Sequence, residues 1–146
     1  MKRLARLICT GAAAAAIVVP AVARAAPDVA ASCIVSVDYV VNGAVNETYT
    51  RAFAVSQATP FRDDFSAQTR TKTFDATLVK DGGSLTVAID YFNDFGVFVA
   101  IGFNARLTIS GGGGLGSTSG GYTFSSSQAI PPGNHATNYA LACRRV

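Results

Sequence analysis

Val97-Phe98-Val99-Ala100-Ile101-Gly102-Phe103-Asn104-Ala105-Arg106-Leu107-Thr108-Ile109 is the stretch that decides the fold. Every odd position is apolar, while the even positions hold Phe, Ala, Gly, Asn, Arg and Thr. A period of two sustained over this length belongs to a strand with one buried face, because successive side chains of a strand point to opposite sides. A helix would scatter the same residues around its circumference. Gly102 marks a candidate bulge or bend.

Working back toward the N-terminus, the same alternation recurs. Ser84 to Phe92 places Leu85, Val87, Ile89 and Tyr91 on one face, and Asn93-Asp94 is read as the turn between these two strands. Asp81-Gly82-Gly83 precedes it as a turn, after a strand from about Ala67 to Lys80 that carries Phe74, Ala76 and Leu78 inward. Ser56 to Asp64 is read as a loop. Before it, strands from about Ser32 to Val41 and Ala44 to Val55 flank Asn42-Gly43, the dipeptide that a type I′ hairpin turn favours. Glu47 and Arg51 share the apolar face of the second of these and are expected to pair with each other near its exposed end.

Toward the C-terminus, Ser110 to Gly121 is almost wholly Gly, Ser and Thr and is read as a flexible connection. Tyr122 to Ser127 is a short strand, Ala129 to His135 a loop, and Thr137 to Arg144 the closing strand. Roughly seven strands separated by turn signals predict an all-β fold, an antiparallel two-sheet sandwich of immunoglobulin-like size.

The first 25 residues stand apart. Lys2, Arg3 and Arg6 form a positive start, Leu7 to Val19 is uncharged and apolar, Pro20 breaks it, and Ala23-Arg24-Ala25 offers a small-x-small cleavage pattern. The apolar run is too short for a spanning helix, which needs about 20 residues. Residues 1–25 are therefore read as a signal peptide of alanine-rich, bacterial type, 26–31 as a short leader, and 32–146 as a single β-sandwich domain. The expected location is periplasmic or secreted, with membrane contact only through the transient signal.

Removing the signal changes the charge. Eight basic residues remain against nine acidic ones, a net charge of −1 in place of +3 for the whole chain. The remaining Lys and Arg are scattered, without the clustered basic face of a nucleic-acid binder. Cys9 leaves with the signal, and Cys33 and Cys143 remain near the two ends of the domain, both in phase with the apolar faces of their strands. In an oxidising compartment such a pair reads as a disulfide that requires the first and last strands to be neighbours.

The search for chemistry mostly excludes. His135 is the only histidine, and neither a carboxylate nor a cysteine stands at metal-ligand spacing from it. Gly111 to Gly114 has neither the lysine nor the helix of a phosphate cradle, and no serine sits in a nucleophile elbow. Asn46-Glu47-Thr48 matches a glycosylation sequon, read as accidental beside a signal of bacterial type. Asp90, Asn93 and Asp94, like Asp63-Asp64, could offer oxygen ligands to Ca²⁺, although turns favour the same residues. Otherwise neither cofactor nor metal is expected. Phe92, Phe95 and Phe98 crowd one turn and form a candidate contact patch if exposed.

The expected function is that of an exported, non-enzymatic binding or structural protein, such as an inhibitor or an adhesion or accessory module, with a protein or glycan partner. The alternatives are a small outer-membrane β-barrel and a small secreted hydrolase that uses the loop carboxylates.

Overall fold

The computed structural model of the chain describes residues 28–96, 99–111 and 113–146. The signal peptide read over 1–25 lies outside them. Eight strands follow one another: β1 (Ala30–Val41), β2 (Ala44–Ser56), β3 (Phe61–Asp64), β4 (Lys72–Asp81), β5 (Ser84–Gly96), β6 (Val99–Ile109), β7 (Leu115–Ser126) and β8 (Gly133–Arg145). They form two antiparallel four-stranded sheets, sheet A in the order β2-β1-β8-β7 and sheet B in the order β3-β4-β5-β6. The expected all-β sandwich is the observed fold, and the strands do not close into a single cylinder.

The core is stacked in cross-strand rows. In sheet A, one row runs Phe53, Cys33, Cys143, Gly116, and the next but one runs Tyr49, Val37, Tyr139, Gly120. In sheet B, corresponding rows run Leu78, Val87, Leu107 and Phe74, Tyr91, Phe103. Aromatic rings bridge the layers: Tyr49 lies 5.6 Å from Phe74 and 5.7 Å from Tyr91, and Phe103 lies 5.0 Å from Tyr139. Rings at these separations add to the stabilisation by area burial alone.

Asn42 and Gly43 have φ of 50° and 86°, as the type I′ turn between β1 and β2 requires. The Asn42 side chain then ties this turn to the start of β8. Its Oδ1 accepts from the Asn134 N–H at 2.9 Å, and its Nδ2 donates to the Pro132 carbonyl at 3.2 Å. Gly133, at φ 130°, leaves the room that this contact needs, because a Cβ there would collide with Asn42.

Several expectations are corrected. The described residues form eight strands where about seven are expected. The strand expected over 67–80 begins at Lys72, and Ala67 to Arg70 is a tight turn with Gln68 at φ 57°. The loop expected over 56–64 contains β3, whose Phe61 packs 5.1 Å from Phe53. Asn93-Asp94 is not a turn but part of β5, paired with Ile101 and Ala100. The leader expected over 26–31 ends in strand, since Ala31 is buried between Val55 and Arg145. The loop expected over 129–135 gives way to β8 from Gly133.

The largest correction is β7, a twelve-residue strand in which the expected short strand from Tyr122 extends back to Leu115, into the run read as flexible. Its inward glycines are contact points. A Cβ on Gly116 would lie 3.2 Å from Leu107 and Ile109, and one on Gly120 only 2.7 Å from the Tyr139 ring. Glycine permits the close approach of β7 to its neighbours.

Candidate binding surface

Two ion pairs fasten one open side of the sandwich. Glu47 and Arg51 point inward from the edge strand β2, but the pair expected between them does not form. Lys72 Nζ of β4 donates to Glu47 Oε1 at 2.8 Å, and Arg51 Nε donates to Asp63 Oδ2 of β3 at 2.6 Å. Their separation in β2 sends each to a different strand of the facing sheet. Burial works to raise the Glu47 pKa, but the Lys72 ammonium and the Asn93 amide outweigh it and hold the carboxyl below its ordinary value of 4.5. Asp63 is also lowered, chiefly by its bond to Arg51.

A group with a depressed folded-state pKa contributes stability above its ordinary value and loses it as pH falls through the folded value. Thermal midpoints measured between pH 7 and pH 2 should therefore decline below about pH 4.5, the ordinary glutamate value. Glu47→Gln should be less stable at neutral pH and should show a shallower acid decline. An unchanged acid profile in that variant would mean that the pair contributes nothing.

Asn93 is fully buried beside this pair. Its Nδ2 donates to Glu47 Oε1 at 3.0 Å and to the Tyr91 hydroxyl at 2.8 Å. Burial pushes the Tyr91 pKa up to about 12, so the phenol keeps its proton across the physiological range. With Asn93 inward and Asp90 and Asp94 on the opposite face of β5, the three candidate Ca²⁺ ligands do not converge. The Asp94 carboxylate instead accepts from the Gly96 N–H at 2.7 Å. Among the described residues no group of three or more His, Cys, Asp or Glu side chains could hold a metal ion. Asp64 caps the turn after β3 by accepting from the Ser66 N–H.

His135 is buried in the β8 row next to Val41 and Phe124. Its Nδ1 shares a 2.7 Å hydrogen bond with the Tyr39 hydroxyl, and its ring stacks on Phe124 at 4.8 Å. The three phenylalanines do not share one surface. Phe95 is 8% exposed and stacks on Tyr39 at 3.9 Å, whereas Phe92 is 36% exposed on the outer face of sheet B. Phe98 lies outside the described residues. Cys33 and Cys143 face each other across β1 and β8 with Cα atoms 4.1 Å apart, and their sulfurs are joined. This link accords with an oxidising compartment.

A further surface feature lies on the outer face of sheet A. Register sets its rows: Ala54, Ser32, Arg144, Leu115; then Ala52, Ile34, Ala142, Ser117; then Thr50, Ser36, Ala140, Ser119; then Thr48, Asp38, Asn138, Gly121. Only Asp38 and Arg144 are charged, and Asp38 accepts from Thr48 at 2.6 Å. No aromatic ring lies in these rows. Ile34 is 52% exposed in the middle, and a shallow depression of about 690 Å³ opens between it, Ser32, Ala52, Leu115, Ser117 and Ala142. The small outward residues of β1 and β8 are visible in the sequence, but β7 as their neighbour is not.

No protein-family model, curated protein or solved structure matches the chain.

Proposed function

We propose that the chain is an exported, non-catalytic binding or structural protein of the bacterial envelope or exterior, and that it meets a protein partner through the outer face of sheet A. The observation that carries this reading is the face itself, four strands wide and almost free of charge, with side chains no larger than Ile, Leu and Arg. Small side chains leave a flat field that another protein surface can approach closely, and charge depletion at the centre of a patch is the compositional mark of an interface core. The missing aromatics favour protein over glycan, since sugar rings are held by stacking on exposed rings. The buried disulfide and the signal pattern of residues 1–25 support the extracytoplasmic setting.

The test uses Ile34→Glu and Ala142→Arg, each placed in the depression and directed to solvent. Both variants should keep the thermal midpoint within a few degrees and lose at least tenfold in affinity for the partner that co-purifies with the exported protein. Undiminished partner binding in both would sink the assignment of the face. Hydrolysis of an ester, peptide or glycan that disappears on replacing His135 or an aspartate would overturn the non-catalytic reading.

A further inference from the structure

The two sheets have four edges, and three of them are guarded against strand pairing in the usual ways. The β2 edge carries inward Glu47 and Arg51 and a bulge opposite Tyr39 and Val40. β3 is only four residues long and contains Arg62, Asp63 and Asp64. β6 carries Arg106, and its Asn104 carbonyl is engaged by the Tyr122 hydroxyl at 3.4 Å. The fourth edge is β7, twelve residues from Leu115 to Ser126 without a charge or a proline.

The register shows which backbone groups this edge leaves free. Arg145 N–H donates to the Gly114 carbonyl at 2.9 Å, so these two form a hydrogen-bonded pair, and the β7–β8 ladder runs from there without a shift. Antiparallel ladders alternate between bonded and non-bonded pairs. Gly116, Thr118, Gly120, Tyr122 and Phe124 therefore bond to β8. Leu115, Ser117, Ser119, Gly121, Thr123 and Ser125 turn their N–H and C=O groups outward. Beside this row, Tyr122 and Phe124 point inward yet stay 46% and 38% exposed at the rim.

We infer that β7 pairs antiparallel with β7 of a second copy of this chain, joining two A sheets into one of eight strands. Three features select a second copy as the occupant. A two-fold axis at Gly120 brings all six free residues into register, with Leu115 opposite Ser125, Ser117 opposite Thr123 and Ser119 opposite Gly121 of the other copy. Each such pair exchanges two bonds, giving about twelve in all. The self-pairing also juxtaposes no like charges, because the strand has none. At the axis, Gly120 meets Gly120 as a non-bonded pair, the closest Cα approach in an antiparallel ladder. The same axis brings the two rims together over Tyr122 and Phe124, and the interface is isologous as a closed dimer requires.

The experiment is the mass of the full exported protein in solution up to about 0.1 mM, where a micromolar pair is fully formed. The expected mass is twice that of one chain. Ser119→Pro removes an N–H that β8 does not use, and Thr123→Lys adds an edge charge. Both should be monomeric while keeping the disulfide and a near-native thermal midpoint. A monomeric wild type, or a dimer that survives both substitutions, overturns the pairing. Should either variant fold poorly, hydrogen exchange of the wild type decides. The outward amides of β7 should be protected at high concentration and lose that protection on dilution, and equal exchange at both concentrations overturns the proposal. The pairing goes beyond the binding reading above: a monomer that still binds its partner through Ile34 and Ala142 refutes the dimer alone.

Discussion

Replacing Cys33 and Cys143 together with alanine should lower stability by about 4–5 kcal/mol, which for a domain of this size is roughly 15–20 °C in the thermal midpoint. The two residues lie opposite each other on β1 and β8, the central strands of sheet A, and the link closes a loop with a sequence separation of 110. Removing it returns to the unfolded chain the freedom that the bridge denies it, and this freedom grows with the logarithm of loop length. Both side chains are buried, so alanine is a cleaner replacement than serine, whose hydroxyl would need a partner. Calorimetry of the wild type with and without reductant should give a shift of the same size. A change below about 5 °C would mean that sheet A holds its centre without the covalent tie.

Phe74→Ala should cost about 3–5 kcal/mol, as expected for removing a fully buried aromatic side chain. Phe74 has no exposed surface. Its ring sits 5.3 Å from Phe53, 5.6 Å from Tyr49 and 6.1 Å from Phe61, so it joins both sheets to the short strand β3. Loss of the ring leaves a cavity that three strands border, and β3, with only four residues in its ladder, has little else to hold it. Phe92→Ala serves as the contrast. That ring lies on the outer face of the neighbouring strand, against Gly102, and its removal should cost only about 1 kcal/mol. Denaturant unfolding of the two variants checks the pair of values, and equal losses would show that the inner ring has no special role.

The sequence made the strands with clean alternation legible, and with them the fold class. β6, with six alternate apolar positions from Val99 to Ile109, could be nothing else, and Asn42-Gly43 announced the first hairpin. Cys33 and Cys143 were readable as partners because both keep the phase of an inward face. What stayed hidden depended on neighbours distant in the chain. Gly116 and Gly120 look like flexibility in isolation; only the presence of Leu107 and Tyr139 beside them makes glycine a packing requirement. Asn93-Asp94 looks like a turn because those residues favour turns, yet Glu47, far away in β2, supplies the partner that lets Asn93 be buried in a strand. Glu47 and Arg51 were visible as inward charges, while their partners Lys72 and Asp63 belong to the other sheet. The outer face of sheet A was half visible, in the small residues of β1 and β8, and needed β7 to complete it.

The position of the bridge also governs how the domain responds to being pulled. β1 and β8 are antiparallel neighbours, so the start of the one and the end of the other lie at the same end of the sandwich. A load applied between Asp28 and Val146 enters at Ala30 and Arg145 and passes almost at once into the Cys33–Cys143 bond. The chain enclosed by that bond is shielded from the load, locking away roughly 360 Å of contour length that an unbridged sandwich would release on rupture. Oxidised, the domain is a short, nearly inextensible link; reduced, it becomes a fuse that can lengthen many-fold under tension.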